Sequence, residues 1–493
     1  MTTKKWIIIG IIALFIVILG VFGYIYFSRE RFVVEDKEWF QTGNAQEITQ
    51  FQTKTSEELE DNKIGIGLGT YYREDANQVR STFYLDSYGD NPELVYSHGF
   101  KWLRISFDDW VGDALDWQNV ETGLGEYSID PERGITSDEK YSGKTYSSTH
   151  PDIDEVISDY SNNGTTIVLG LNVGNEENHG DVSRFRNNDE LERYSNYVRF
   201  MVNHFKGKIE YYEIWNEPGG EGVEADYINL IKHIVPIIRE EDPEAKIVIG
   251  ALAGEWVNNY PGYGEYERYS ISADYIKEFL GSDIAPIIDA ISWHPFYGTK
   301  PDDPYYQNYP QIIEEIKEFA FSNGFNGEYL AEELSWKTYL EENESGKSFS
   351  EAVAKKYYAR AIIMHRGLDL TVSSIIRASG LLEIIPNICT IMAGATPADF
   401  PIEIQSPAEN IESYTFSLSN GDKLIALWTD GVAVDDDSGV SADLTFDGLS
   451  GKEVVAVDVL KGYQQDIVVN GDKIKNLTVR DYPLMLKITK NKK

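Results

Sequence analysis

The sequence predicts an α/β protein built as a (β/α)8 TIM barrel over residues 61–400. A C-terminal antiparallel β-sandwich module (401–493) follows it, and an N-terminal transmembrane helix (6–27) precedes it. Three observations carry this reading. Eight short apolar runs alternate with amphipathic stretches, helical period vanishes after about residue 400, and one long uncharged run stands near the start.

The eight runs are residues 63–70, 101–107, 165–173, 208–215, 246–252, 287–293, 327–333 and 370–376. They are rich in Ile, Val and Leu without strict alternation, as expected of parallel strands buried on both faces. Between them, residues 152–164 put Ile153, Val156, Ile157 and Tyr160 on one helical face, with Gly164 where a helix would stop. Leu191, Tyr194, Val198, Met201 and Phe205 do the same, as do Ile312, Ile313, Ile316 and Phe319, and residues 352–367 fill the gap before the eighth strand. Eight βα units in about 320 residues fit a barrel with generous loops. An open doubly wound sheet is the alternative, but no GxGxxG or Walker-type loop follows an early strand.

Past residue 400, two alternating runs meet at Asn420-Gly421, a hairpin signal, and further strand-like pieces follow. The stretch 434–439 (VDDDSG) reads as a turn; it lacks the EF-hand pattern. At the other end, residues 6–27 carry no charge and are long enough to span a hydrocarbon core of about 30 Å. They exceed the apolar part of a signal peptide, and no small-x-small cleavage site follows. The reading is a short tail (1–5), an uncleaved single-pass anchor in a lipid bilayer (6–27) and an acidic linker (28–60). The charge bias favours a cytoplasmic tail with the body outside the cytoplasm, at the cell membrane.

The net charge of −37, from 44 basic and 81 acidic residues, repels nucleic acid. One cysteine, Cys389, excludes an intrachain disulfide, and the seven histidines form no HExxH motif. Neither a metal nor an organic cofactor is expected. The 32 Tyr and 10 Trp exceed what a core needs and suit flat, ring-shaped ligands.

In a barrel, catalytic residues belong at the C-terminal ends of strands. Those ends carry Arg104 on the second strand, Asn216 and Glu217 after the fourth, and His294 and Tyr297 after the sixth. Glu332, Glu333 and Trp336 close the seventh. Two carboxylates on one rim are what glycoside hydrolysis requires: one protonates the leaving oxygen, the other attacks the anomeric centre. The acid must hold its proton near neutral pH, and the nucleophile must stay ionised beside a cation such as Arg104. Successive strand residues face opposite ways, so only one of Glu332 and Glu333 is expected at the site.

WNEP after the fourth strand, a glutamate closing the seventh, an arginine on the second and HPFY on the sixth resemble the clan A glycoside hydrolases. The barrel-plus-β-module layout is similar to family 39, and to membrane-associated enzymes of that kind that cut bacterial exopolysaccharides. The resemblance implies a retaining glycosidase acting on a polysaccharide or oligosaccharide. Glu217 would be the acid/base and Glu333 the nucleophile, chosen over Glu332 because Glu333-Leu334-Ser335-Trp336 matches the clan spacing E-x-x-W. Asn216 would bond the sugar 2-hydroxyl, Arg104 would sit under the nucleophile, and His294 and Tyr297 would orient the carboxylates. One departure is plain. The clan usually floors its sugar site with an aromatic at the end of the eighth strand, where this chain has Ile376 and Arg377. Trp336 or a loop aromatic would have to serve instead.

Residues 108–117, 175–179 and 254–269 supply further sugar-binding candidates, among them Asp108 and Trp256, and their length suggests an extended, endo-acting cleft. His179 reads as solvent-exposed. Two rivals use the same residues: a catalytically inactive carbohydrate-binding scaffold and a transglycosylase.

Overall fold

A computed structural model of the chain describes residues 38–59, 61–67, 92–106, 110–129, 152–179, 185, 187–218, 223–253, 277, 280–281, 283–336, 349–376 and 383–489. Eight parallel strands form the central sheet: Gly65–Gly67, Trp102–Ile105, Thr166–Leu171, Tyr211–Ile214, Lys246–Ala253, Ala290–His294, Glu328–Ala331 and Thr371–Val372. Each pairs with the next in sequence. The ends meet through a parallel bridge between Ile64 and Val372, with the Gly67 amide donating to the Ile375 carbonyl at 3.0 Å. Gly65 permits this approach, since a Cβ there would lie 2.4 Å from the Ser373 carbonyl oxygen.

The predicted helices surround the barrel. Ile153–Asn162 buries Ile153, Val156, Ile157 and Tyr160, and its N-cap Asp152 accepts from the Asp154 and Glu155 amides. Asn188–His204 and Pro304–Ser322 bury their expected faces, although Ile312 and Phe319 are only partly covered. Val223–Glu241 and Glu351–Gly367 follow the fourth and seventh strands.

The barrel interior is layered. At its floor Trp102, Val168, Tyr211, Val248, Ala290 and Leu330 form a separate apolar cluster. Strand alternation puts the residue two positions on in the layer above. That layer is Arg104, Gly170, Glu213, Gly250, Ser292 and Glu332, and its four polar members are buried. The barrel thus turns from apolar to polar in one step, with charged groups on the second, fourth and seventh strands.

The C-terminal module consists of two antiparallel sheets. Lys423–Thr429, Val454–Asp458 and Leu484–Ile488 sit inside a larger sheet, and Val440–Phe446 and Lys473–Val479 inside a smaller one. Ile425, Leu427 and Leu486 meet Leu444, Phe446 and Leu477 in an apolar core. The module also buries Asp458, whose Oδ2 accepts from the Trp39 indole and the Tyr482 hydroxyl. The alternate residues Leu424, Ala426 and Trp428 pack instead into the barrel's cluster. This central sheet is buried on both faces, which explains its unbroken apolar run. The hairpin at Asn420-Gly421 forms as expected, with Gly421 at φ 86.

Arg360, on the helix Glu351–Gly367, ties the two parts together by donating to the carbonyls of Asp481 at 2.8 Å and Gly431 at 2.6 Å. The stretch read as a linker also contributes. Strand Ile48–Gln50 pairs antiparallel with residues 463–465, and Phe40 is buried in the module core. Among the described residues no helix is long and apolar enough to cross a membrane. The expected anchor, residues 6–27, lies outside the described residues.

Candidate active site

Four strand ends, the second, fourth, sixth and seventh, converge at the mouth. Arg104 enters from the second strand and gives its three nitrogens to different tasks. Nη1 donates to Glu333 Oε1 at 2.6 Å, Nε donates to Glu213 Oε2 at 3.0 Å, and Nη2 reaches Glu213 Oε2 at 2.7 Å and Asn216 Oδ1 at 2.6 Å. His294 Nδ1 lies 2.8 Å from Glu217 Oε1 and 3.4 Å from Glu333 Oε2. The Tyr297 hydroxyl is 2.5 Å from Glu333 Oε2 and 3.1 Å from Glu217 Oε1, so one phenol touches both carboxylates.

Backbone geometry puts both acids there. Trp215, Glu217 and Glu333 have φ of 68, 49 and 49, in the left-handed region that side chains other than glycine rarely adopt. Pro218 disfavours the right-handed helical region for the residue before it, and the Glu217 amide donates to the Ala251 carbonyl at 3.1 Å. Strain of this kind persists only where the surroundings over-determine it, and it gathers at functional sites. At the seventh strand it corrects one expectation. Alternation would send Glu332 and Glu333 to opposite faces, yet both meet Arg104, Glu333 Oε1 at 2.6 Å and Glu332 Oε2 at 3.4 Å. The turn at Glu333 breaks the alternation and swings its side chain back over the barrel.

The electrostatics act on Glu333. Burial pushes the Glu333 carboxyl up, but the charges of His294 and Arg104, with hydrogen bonds from Tyr297 and Arg104, outweigh it and hold it at about 2. His294 is raised: burial opposes its charge, while Glu333 and the bond to Glu217 favour it. Glu217 keeps a quarter of its side chain exposed, whereas Glu333 is nearly covered. Glu217, His294 and Glu333 also bring one ligand atom each to within 4.8 Å of one another, a spacing a cation could use. Arg104 and the Tyr297 hydroxyl already occupy the Glu333 oxygens, so this donor set suits proton transfer better than a metal.

Arg104, Asn216, Glu217, His294, Tyr297 and Glu333 therefore come together. Asp108 and Trp256 lie outside the described residues. Trp336 does not join the site. It is fully buried, donates Nε1 to the Thr299 carbonyl at 2.8 Å, and packs on Phe296, Tyr357 and Tyr358. It presents no ring face to a sugar. His179 is also corrected: its side chain is buried, 2.6 Å from Glu121 Oε2 and 5.1 Å from the Trp117 ring. Trp117 and Asn175 donate to the same Glu121 oxygen, so these loop residues bind one another instead of standing ready for substrate.

Glu213, Glu332, Ser292 and Ser373 escaped the sequence reading as a connected set. The Ser292 hydroxyl donates to Glu213 Oε1 at 2.6 Å, and that of Ser373 to Glu332 Oε1 at 2.9 Å. A signal was present, because a glutamate inside an apolar parallel strand, as in YYEIW, needs a buried partner.

No family model matches the chain, and no curated protein sequence matches it. Solved structures do. The chain is similar to a family 39 glycoside hydrolase from the gut symbiont Bacteroides cellulosilyticus WH2, with a TM-score of 0.60 and 13% identity, covering 89% of this chain and 83% of that one. A family 44 xyloglucanase from Paenibacillus polymyxa gives a TM-score of 0.49 and 10% identity, covering 90% of this chain and 99% of that one. The first likeness shows a shared fold.

Proposed function

We propose that this chain is a glycoside hydrolase that cleaves a polysaccharide or oligosaccharide by double displacement. The observation that carries the reading is the Tyr297 hydroxyl, which touches Glu217 and Glu333 at once. An oxygen of each carboxylate lies within 4.8 Å of the other, which suits the retaining separation of about 5–5.5 Å better than the wider inverting one. Glu217, the more exposed acid, protonates the departing glycosidic oxygen. Glu333, kept ionised by Arg104 and His294, attacks the anomeric carbon and forms a glycosyl ester. Glu217 then takes a proton from water, which hydrolyses the ester. With its Oδ1 engaged by Arg104, Asn216 offers its NH2 group to the sugar 2-hydroxyl.

Residues 6–27 would anchor the enzyme in the cell membrane, with the barrel outside the cytoplasm. Phe40, soon after that run in sequence, is buried in the β module's core, so the module would stand closest to the bilayer.

A 2-fluoroglycoside trap followed by peptide mapping tests the chemistry. Label on Glu333 supports it, and label on neither Glu333 nor Glu332 sinks the retaining assignment. A polysaccharide panel tests the class. Binding without new reducing ends would favour a scaffold, and products longer than the substrate would favour a transglycosylase.

A further inference from the structure

Beneath the mouth, one guanidinium faces three carboxyl groups. Arg104 is 3% exposed, Glu213 and Glu332 are fully buried, and Glu333 is 4% exposed. Arg104 bonds Glu213 through two nitrogens and Glu333 through the third. Nothing of it is left for Glu332, whose Oε2 lies 3.4 Å from the already committed Nε. The groups facing Glu332 are Arg104 from the second strand, Glu213 from the fourth, His294 from the sixth, Ser373 from the eighth and Glu333 beside it in sequence. Its Oε2 is 3.9 Å from His294 Nε2, and no donor among the described residues gives that oxygen a hydrogen bond, so a proton on Oε2 itself has room to serve Glu213. Three buried negative charges beside one guanidinium would leave two uncompensated, and a protonated His294 would offset only one of them, which a dry interior does not tolerate.

We propose that Glu332 is a positioning residue that remains a neutral carboxylic acid, shares its proton with Glu213 and thereby reserves Arg104 for Glu333. The catalytic meaning of this rests on the glycosidase reading; the proton itself does not. Burial and the charge of Glu213 push the Glu332 carboxyl well up, against the pull of Arg104, and a hydrogen bond to Glu213 adds to the rise. Glu213 moves the other way: burial raises it, but Arg104, Glu332 and Ser292 together bring it down. The neutral acid also faces His294 Nε2 without adding a charge, so the state of His294 is set mainly by Glu217 and Glu333 on its Nδ1 side.

The sign of the pH dependence follows. An acid whose pKa rises on folding stays protonated when the unfolded chain has released its proton. Stability is therefore lost as pH rises from about 4.5 toward the folded value. Glutamine is the isostere of the neutral acid and lacks that proton. Thermal unfolding of the full chain and of Glu332→Gln, measured from pH 5 to 9, tests this without any substrate. The expected result is a Glu332→Gln protein whose Tm advantage over the wild type widens as pH rises, with one proton fewer released on unfolding. Its neutral-pH kcat would stay within about threefold of wild type, while its activity would persist to a pH roughly one unit higher. A constant Tm gap across that range overturns the proposal, as does a large kcat loss at every pH with the profile unmoved. If Glu332→Gln fails to fold, Ser373→Ala serves. It removes a bond that lowers the Glu332 pKa, so its alkaline limb should move upward; no movement, or a downward one, counts against the idea. A chain with the widening gap but no glycosidase activity would refute the proposed function and leave this proton in place.

Discussion

The barrel and the β module bury their interiors by opposite means. The module closes Ile425, Leu427, Leu444, Phe446 and Leu486 over one another, and each contributes by leaving water. The barrel does this only at its floor, then stacks Arg104, Glu213, Ser292 and Glu332 above it. Burying such groups costs several kcal/mol per ion before any attraction repays it. A region that only had to be stable would not be built this way. The barrel layer accepts that cost because its Arg104 helps hold Glu333 ionised, whereas the charge the module buries, Asp458, is met by neutral donors from Trp39 and Tyr482.

Removing members of the charged site exposes what it is for. Glu333→Gln should lower turnover by roughly 10⁴-fold or more while the protein stays folded, read by single-turnover kinetics on any active substrate. Glu217→Gln should cost about 10²–10⁴-fold, most with poor leaving groups, since it loses proton transfer alone. Arg104→Met should lose both properties. It leaves Glu213 and Glu333 buried without their cation, for roughly 3–5 kcal/mol of urea-measured stability. Equal activity in Glu333→Gln and wild type would remove the chemical reason for the charged layer.

The two neighbouring glutamates sharpen the contrast with pH. Glu333 has a folded pKa of about 2 against 4.5, so its stabilisation is fully present above about 4.5 and lost as pH falls toward 2. That is on the order of 3 kcal/mol. Glu332, raised by burial, slopes the other way. Acid denaturation should therefore be shallower in Glu333→Gln than in wild type, and unchanged slopes would mean that Glu333 is not held by Arg104 and His294.

Much of this was readable in the chain because it depends on local pattern. Eight apolar runs became eight strands, the Asn420-Gly421 turn formed, and Arg104, Glu217, His294 and Glu333 met because strand ends of a barrel must converge. What escaped depends on backbone signs and on side-chain direction. No residue pattern announces φ 49 at Glu333, so the rule of alternating faces excluded Glu332 from a cluster it joins. Trp336 has the spacing of a sugar platform but lies where Tyr358 and Thr299 satisfy its amide and indole N–H groups. His179 looked free because Glu121, its partner, sits 58 residues away, at the start of the short strand Glu121–Gly123.

The smallest perturbation gives the finest comparison. Ile425→Val and Ser292→Ala each delete one heavy atom from a fully buried side chain, one in each interior. In the module the loss is a methyl group's packing, about 1 kcal/mol, and kcat should not change. In the barrel the deleted hydroxyl donates to Glu213 Oε1 at 2.6 Å and accepts from the Ala251 amide at 2.8 Å. Its removal leaves a buried carboxylate oxygen and a buried N–H unpaired, for roughly 1–3 kcal/mol. It also loosens the anchor of Arg104, so kcat should fall several-fold even where stability is recovered at lower temperature. If Ser292→Ala lost stability alone, in the manner of Ile425→Val, the charged layer would be a scaffold beneath the site and not a working part of it.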